Sequence, residues 1–173
     1  MIESVLKYHG FYIGRYELGL DGTSPVSKKA ENGIITTAAD NSYTNRWYGL
    51  YSKSKEFAVV NDNSKSVVSS MIWTSQYDAM LNWIQKQGEN VTESNNVKLN
   101  ITSITGNNKI DCVKNIYDIY GCHSEWTLGA TNDNGRIIRA GNSGSGTSLD
   151  NSYAGTPNYN YDILGSRLTL YIK

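Results

Sequence analysis

The chain has 173 residues, and its 16 basic and 16 acidic side chains give a formal net charge of zero. This length suits one domain with its own core, and the evenly spread charge argues against a nucleic-acid partner or an anionic membrane. No apolar run is long enough to span a membrane, and the N-terminal sequence lacks the features of a signal peptide. We therefore expect a single domain over residues 1–173, with no nucleic acid bound and no membrane insertion.

Two cysteines, Cys112 and Cys122, and two histidines, His9 and His123, are the only thiol and imidazole groups in the chain. Their spacing fits no zinc-binding pattern, so we expect no metal site and interpret the cysteines as buried or unreactive. Half of a metal site at Cys122 and His123 is the less favoured alternative. A disulfide between the cysteines is geometrically possible, and the sequence leaves it open because the compartment is unknown.

Hydrophobic periodicity predicts both strands and helices in the first half of the chain. Alternation favours a strand over residues 11–17, and helical spacing favours a helix over 42–53. Between them we expect a long loop over 21–41 with a short strand at 33–36. Residues 57–63 and 64–72 are predicted as short strands or buried turns. Most aromatic residues before position 90 are expected in the core, namely Tyr43, Trp47, Tyr48, Tyr51, Trp73, Tyr77 and Trp83.

Residues 74–87 have the clearest helical pattern in the chain. One face of this predicted helix is formed by Tyr77, Met80, Leu81 and Ile84. Either Thr74 or Ser75 is the expected N-cap, and Gly88 is the expected stop. We expect Trp83 to pack beside the apolar face.

The second half of the chain is predicted to be mostly strand. Residues 89–109 are polar and irregular, and strands are expected at 125–130, at 136–141 and at the C-terminus over 168–173. Helices and strands come first, followed by strands with long loops. This order predicts an α+β fold with an antiparallel sheet.

Residues 142–162 have almost nothing to bury. They comprise four Asn, four Ser, three Gly, three Tyr, two Thr, two Asp and one each of Leu, Ala and Pro. Such a composition alone indicates a disordered linker or a surface loop without a partner. Two strand-like segments bracket it, however, and Tyr, Ser, Gly and Asn are typical of adaptable binding loops. We predict a displayed ligand-binding surface carried by a scaffold of residues 1–135.

Within this segment the polar and tyrosine side chains are the predicted ligand-binding residues. They are Asn142, Ser143, Ser145, Ser148, Asn151, Ser152, Tyr153, Asn158, Tyr159, Asn160, Tyr161 and Asp162. The three tyrosines are the expected anchors, because their rings bury area while the hydroxyl keeps a hydrogen bond. Glycine and proline in the segment and just before it are expected to shape the backbone, and these are Gly141, Gly144, Gly146, Gly155 and Pro157.

Residues 115–126 read NIYDIYGCHSEW, which is similar to the N-x-x-D-x-x-G-N-x-x-E-W signature of the formylglycine-generating-enzyme, or sulfatase-modifying, family. RIIRAG and ILGSRLTLYIK likewise resemble its R-x-x-R-G-G motif and G-F-R ending. The resemblance implies a C-type-lectin-like fold with antiparallel sheets, two helices and long irregular loops. It also places Gly121 in a tight turn, Glu125 in charge-assisted bonds with the arginine pair of RIIRAG, and Trp126 in the core.

The chain departs from this family at its catalytic positions. Oxidases of the family act through paired cysteines in the segment that corresponds to residues 142–162, which contains none. A metal-dependent oxidase is therefore only the alternative function. No cofactor is expected, and calcium is in doubt because Cys122 replaces the usual Asn and thiolate is a poor ligand for a hard cation.

Asp118 and Glu125 have two interpretations. They could form a carboxylate pair for acid–base chemistry, but no nucleophile accompanies them and structural hydrogen bonding is favoured. Arg136, Arg139 and Arg167 are expected to bind carboxylates or carbonyls of the scaffold.

The variable proteins of diversity-generating retroelements, which also have a C-type-lectin-like fold, resemble this chain more closely. They carry hypervariable residues in the same C-terminal segment. Their diversification replaces adenines, typically in AAY codons, and the resulting codons cannot encode Lys, Glu, Gln, Trp or Met. None of these five types occurs in residues 127–172, whereas residues 1–126 contain 27. At that density, about ten would be expected in the 46 residues of 127–172.

This second resemblance implies a non-catalytic protein, on a virion or a cell surface, that binds a protein or glycan receptor. Residues 136–173 would then comprise a strand, the variable binding region and a closing strand, and the protein could be a homo-oligomer. A structural virion or adhesin domain is a further alternative.

Overall fold

The computed structural model describes residues 2–29, 35–36, 46–63, 65–89, 105–106, 112–119, 123–131, 135–139, 152–158 and 164–173. In these ranges the helices are α1 (Ile2–Tyr8), α2 (Trp47–Asp62) and α3 (Thr74–Lys86). The strands of the first half are β1 (Tyr12–Glu17), β2 (Gly19–Asp21), β3 (Ser24–Val26), β4 (Ile35–Thr36) and β5 (Val67–Met71). Those of the second half are β6 (Cys112–Val113), β7 (Ile116–Tyr117), β8 (Ser124–Ala130), β9 (Arg136–Arg139), β10 (Ser152–Gly155) and β11 (Leu164–Ile172).

This mixture of helices and strands confirms the α+β class predicted from the order of elements. Strands β1, β4, β8 and β9 lie, to within one residue, in segments predicted as strands, and β5 lies within one predicted as short strands or buried turns. Strand β11 covers most of the predicted C-terminal strand but begins earlier, at Leu164. None of the described helices is long and apolar enough to cross a membrane.

Strand β11 lies at the centre of the main, six-stranded sheet, whose order is β1-β11-β8-β9-β10, with β5 also paired to β11. β1 runs antiparallel along one side of β11. On the other side, the first half of β11 pairs with β8 and the second half with β5. The β8–β11 pair is parallel, with Ser166 opposite Trp126. The other pairs of this sheet are antiparallel, as predicted. The parallel pair was not expected, because it depends on a crossover that no local pattern reveals.

Helices cover the sheet on both faces, so that two cores form. On one face α2 contributes Trp47 and Leu50 to a core with Trp126 and Ile138. On the other face α3 packs its predicted apolar residues against the sheet. Alternation along β8 explains this division, because Trp126 joins the α2 core while the next residue, Thr127, contacts α3.

Helix α3 confirms the clearest helix prediction but is capped differently. Its N-cap is Trp73, whose main-chain N–H donates to Oε1 of Gln76 at 2.8 Å, so neither Thr74 nor Ser75 is the N-cap. The expected stop is confirmed, because Gly88 follows the helix with a left-handed φ of 87°.

Helix α2 begins later than predicted and continues through residues 57–63, where a strand or turn was expected. That expectation was wrong. The buried residues of α2 are Trp47, Leu50, Ser54 and Ala58. Two of these four are small, so the hydrophobic period that marks a helix is weak in the sequence. The main-chain N–H of Ala58 donates to Oγ of Ser69 on β5 at 2.8 Å, which ties the unexpected half of the helix to the sheet.

Several described elements were not predicted. The short strands β2, β3, β6 and β7 are among them, and β3 lies inside the loop expected over 21–41. Helix α1 and strand β10 were not predicted either. Helix α1 brings the described helices to three, whereas the resemblance implied two. Its apolar residues Ile2 and Leu6 are each 71% exposed, so it has no buried stripe. Strand β10 lies inside the segment that was expected to be a loop.

Candidate functional site

Residues 152–158, here called the display segment, combine strand β10 with the turn that follows it. β10 is the last strand in the sheet order and pairs antiparallel with β9, with Tyr153 opposite Ile138 and Gly155 opposite Arg136. Ser152, Tyr153 and Ala154 are exposed although their side chains alternate between the two faces of the sheet. The edge of the sheet therefore presents side chains to solvent on both faces.

A second main-chain contact holds the display segment after β10 ends. The carbonyl of Pro157 accepts a hydrogen bond from the main-chain N–H of Trp47 at 3.2 Å. Trp47 is the first residue of α2, and the N–H groups of a first helical turn have no acceptor within their own helix. The display segment thus supplies an acceptor to α2, while its Thr156 and Asn158 side chains remain exposed.

Gly155 lets β10 approach the core closely. A Cβ atom at this position would lie 2.8 Å from Cη2 of Trp126 and 2.9 Å from Cδ1 of Ile138. Trp126 is fully buried, so its ring has no room to retreat. This agrees with the prediction that Gly155 shapes the backbone.

Three of the predicted ligand-binding residues, Ser152, Tyr153 and Asn158, are described, and all are exposed. Tyr153 is 42% exposed. The predicted residues outside the described ranges are Asn142, Ser143, Ser145, Ser148, Asn151, Tyr159, Asn160, Tyr161 and Asp162. That these side chains bind a ligand stays a prediction.

Aromatic residues at the start of α2 adjoin the display segment. All of them were predicted to lie in the core. Trp47 is buried, with Tyr51 stacked on it at 5.1 Å and the guanidinium of Arg136 4.6 Å from its ring centre. Tyr48 instead sits edge-on to Trp47 and is 46% exposed. Successive helical residues point about 100° apart, so the adjacent pair Trp47 and Tyr48 was the signal that one of them faces outward.

Trp73, which is 39% exposed, and Trp83, which is 47% exposed, also correct the expectation of a core position. Tyr77 confirms that expectation because only 1% of it is exposed. Tyr43 lies outside the described residues.

Arg167 and Glu125 form a buried ion pair between β11 and β8. Nε and Nη2 of Arg167 donate to Oε1 of Glu125 at 2.9 and 2.6 Å. The guanidinium also donates to the carbonyls of Gly14 and Tyr117 at 2.9 and 2.8 Å. Arg167 thus binds both a carboxylate and carbonyls, as predicted for the scaffold arginines.

Arg139 and Arg136 also contact the scaffold, but differently. Nη2 of Arg139 lies 2.6 Å from Oδ1 of Asp78 on α3, while Arg136 lies over the ring of Trp47. Arg139 therefore forms the predicted ion pair, and the described contact of Arg136 is with an aromatic ring.

The pKa of Glu125 reflects its enclosure. Burial raises this pKa to about 7, although the positive charge of Arg167 acts against the rise. Oε2 of Glu125 is buried without a hydrogen-bond partner among the described residues. Oε2 is therefore the oxygen that can carry the proton when the Glu125 carboxyl group is neutral.

His123 and Glu17 form a second buried pair beside the first. Nδ1 of His123 lies 2.6 Å from Oε2 of Glu17, and the main-chain N–H of His123 donates to Oε1 at 3.2 Å. Burial alone would lower the pKa of His123, but the charge and hydrogen bond of Glu17 outweigh it, so that the pKa is raised.

Asp118 joins residues 105–106 to the two buried pairs. Its Oδ2 accepts hydrogen bonds from Oγ1 of Thr105 at 2.5 Å and from the main-chain N–H of Gly106 at 2.7 Å. Burial and then the negative charge of Glu17 raise the pKa of Asp118, against these two bonds. Asp118 and Asn115 both have left-handed backbones, with φ of 60° and 66°. Asn and Asp are the non-glycine residues that most readily adopt this conformation.

Asp118 and Glu125 are 3% and 2% exposed, and each is hydrogen-bonded within the protein. This placement favours the structural interpretation of the two carboxylates over acid–base chemistry. Among the residues that the structure describes, no group of three or more His, Cys, Asp or Glu could hold a metal ion. Cys112 is a free cysteine, and Cys122 lies outside the described ranges.

Comparison of the chain with protein-family models, with curated proteins and with solved structures found no match.

Proposed function

We propose that this chain is a non-catalytic receptor-binding protein with a C-type-lectin-like fold. Its C-terminal segment is a diversified surface of the kind carried by the variable proteins of diversity-generating retroelements. Residues 1–135 serve as a frame, and side chains of residues 142–162 meet a protein or glycan receptor.

One observation carries this proposal, namely that main-chain bonds hold the display segment. Pairing with β9 and the 3.2 Å bond from Trp47 to the carbonyl of Pro157 do not depend on side-chain identity. The exposed side chains of Ser152, Tyr153 and Asn158 can therefore be exchanged without loss of these bonds. A surface that must vary while the fold persists requires this separation.

The residues of the signature motif support the proposed frame. Asn115 and Asp118 adopt left-handed backbones, Glu125 binds Arg167, and Trp126 fills the α2 core. Each has a structural role that does not require the catalytic cysteines of the oxidases. A rigid frame also lowers the conformational entropy that is lost when a ligand binds.

Composition supports diversification in particular. The absence of Lys, Glu, Gln, Trp and Met over residues 127–172 follows if AAY codons vary at their adenines. Polar display surfaces in general have no reason to avoid Lys, Glu and Gln, which are common on protein surfaces.

A genomic test addresses diversification directly. We expect a reverse transcriptase gene near the coding sequence, and a template repeat that matches the 3′ region with adenines at the codons for the predicted binding residues. A complete locus without either feature would contradict diversification while leaving a binding function open.

A library experiment tests the separation of frame and surface. Ser152, Tyr153 and Asn158 would be randomised together with NNY codons, displayed on yeast, and selected against a defined protein probe such as lysozyme. We expect most members to reach the cell surface folded, and binders to the probe to be enriched.

The control library randomises three buried residues of similar type, Ser69, Gln76 and Tyr77, which are 3%, 4% and 1% exposed. We expect most of its members to be lost from the surface. Equal losses from the two libraries would show that the display segment is part of the core, and the proposal would fail.

A further inference from the structure

Exposed apolar residues of α1, β1 and α3 gather around the half-buried Phe11. The group consists of Ile2, Leu6, Phe11, Tyr12 and Trp83, here called the α1 patch. Ile2 and Leu6 are each 71% exposed, Tyr12 is 58% exposed, and Trp83 is 47% exposed. Clusters of exposed large apolar residues mark interaction sites on soluble proteins.

Two grooves make the α1 patch continuous. A groove of about 240 Å³ is lined by Ile2, Leu6 and Phe11, together with Ser75 and Gln76 at the start of α3. A second groove of about 420 Å³ is lined by Phe11, Tyr12 and Trp83, among others. Phe11 forms a wall of both grooves, so the patch has projecting side chains next to recesses that can receive such side chains.

The α1 patch and the display segment belong to different edges of the main sheet. Tyr12 of the patch is on β1, the first strand in the sheet order, whereas the display segment contains β10, the last. The hydroxyl of Tyr8 donates to the carbonyl of Lys173 at 2.7 Å, which attaches α1 to the end of β11. Neither groove of the patch is lined by a residue of the display segment. Contacts made by the α1 patch therefore leave the display segment accessible.

The charges of α1 are complementary to a second copy of α1. Ile2 and Leu6 are one turn apart on the apolar face, while Glu3 and Lys7 are one turn apart along one flank, and both charged residues are exposed. When two helices pack antiparallel about a two-fold axis, the same flank of each helix meets. Glu3 of one copy then lies opposite Lys7 of the other, and the reciprocal pair forms by symmetry.

We propose that the protein is a homodimer in which the α1 patches of two copies pack against each other, with the α1 helices antiparallel. Ile2 and Leu6 of each copy fill the groove beside Phe11 of the other, and two Glu3–Lys7 pairs fix the direction. The formal net charge of zero adds no long-range repulsion between copies. The two display segments are thus linked, so that weak single contacts gain avidity.

The oligomeric state of the intact chain tests this proposal. Sedimentation and light scattering are expected to give twice the chain mass of 19.2 kDa. Leu6→Glu is expected to weaken association by roughly tenfold or more, because it places a charge in the centre of the contact. Val59→Glu is the matched control, since Val59 is an apolar residue of α2 with 54% exposure, and we expect it to leave the dimer intact.

A charge exchange tests the antiparallel arrangement. Glu3→Lys and Lys7→Glu are each expected to weaken the dimer by about fivefold, and the double variant is expected to restore it. Thermal melting of every variant checks that the fold is unchanged. A wild-type mass of one chain at the highest soluble concentration overturns the proposal and leaves the α1 patch to a different protein. A dimer that Leu6→Glu does not weaken also overturns it.

Discussion

Arg167 shows how one side chain joins distant parts of the chain. Its guanidinium binds Glu125 on β8, the carbonyl of Gly14 on β1 and the carbonyl of Tyr117 on β7. Arg167 is fully buried and Glu125 is 2% exposed. Buried charges of this kind are tolerated only when every partner is present.

We predict that Arg167→Met destabilises the protein by about 3–5 kcal/mol, because it leaves Glu125 buried without its counter-charge. Urea denaturation followed by circular dichroism measures the free energy of unfolding. Arg15→Met is the control, and since Arg15 is exposed, a change within about 0.5 kcal/mol is expected. Similar losses for both variants would show that the ion pair is not what stabilises this region.

A second prediction at the residue scale concerns Gly155. Gly155→Ala places a methyl group 2.8 Å from a ring atom of Trp126, so we expect a loss of about 1–3 kcal/mol from overpacking. The control is Gly10→Ala, because a Cβ at Gly10 meets nothing within 4 Å. Equal melting temperatures for the two variants would contradict the close packing of β10 on the core.

Among the elements, β10 and α2 stabilise each other through main-chain contacts. β10 needs β9 for its hydrogen bonds, and α2 receives an acceptor for its first N–H from Pro157. Edge strands are usually protected from pairing with other chains. In this protein the chain turns away from the edge at once to reach α2.

The difference between frame and surface predicts opposite results for two tyrosines. Tyr153→Ala on β10 is expected to change the melting temperature little, because Tyr153 is 42% exposed and the strand is held by main-chain bonds. Tyr77→Ala on α3 removes a ring that is 1% exposed, so we expect a loss of about 3–5 kcal/mol. A large loss for Tyr153→Ala, measured by calorimetry, would place that ring in the core instead.

At the scale of the whole molecule, the buried charge cluster joins β1, β8 and β11 and the segment around Asp118. Three carboxylates, those of Glu17, Asp118 and Glu125, share the cluster with Arg167 and His123. If all five groups were ionised, one negative charge would remain uncompensated. Uptake of a proton neutralises it, which agrees with the raised pKa values of Asp118 and Glu125.

This cluster predicts an unusual dependence of stability on pH. Burial raises the pKa of Glu125 from 4.5 to about 7, so the folded chain binds more protons than the unfolded chain within that window. The free energy of unfolding therefore decreases as the pH rises through the window. The raised pKa of His123 acts in the same direction above pH 6.5. We expect stability, measured by urea denaturation, to decrease between pH 5 and pH 8.

Glu125→Gln separates the contribution of Glu125 from those of Asp118 and His123. Without a titrating group at position 125, the decrease in stability between about pH 5 and pH 7 should become smaller, while the contributions of Asp118 and His123 remain. A wild-type stability that increases over the same range would contradict the raised pKa of Glu125.

The sequence alone determined the elements whose side chains repeat with a clear local period. α3 and β1 were located in this way, while β8, β9 and most of β11 lie in apolar segments predicted as strands. The buried position of Trp126 and a charge-assisted bond of Glu125 to arginine followed from the motif residues, but the partner is Arg167 and not the expected pair Arg136 and Arg139. For the candidate site, composition singled out the segment that contains Ser152, Tyr153 and Asn158, all of which are exposed.

Only the tertiary structure decided the length of α2, the parallel pairing of β8 with β11, and the existence of α1 and β10. α2 has small residues at two of its buried positions, so the pattern depends on β5 packing against it. β10 forms because β9 offers an edge and Trp47 binds the carbonyl of Pro157. In each case the deciding contacts join residues far apart in the chain, and local periodicity carries no information about such contacts.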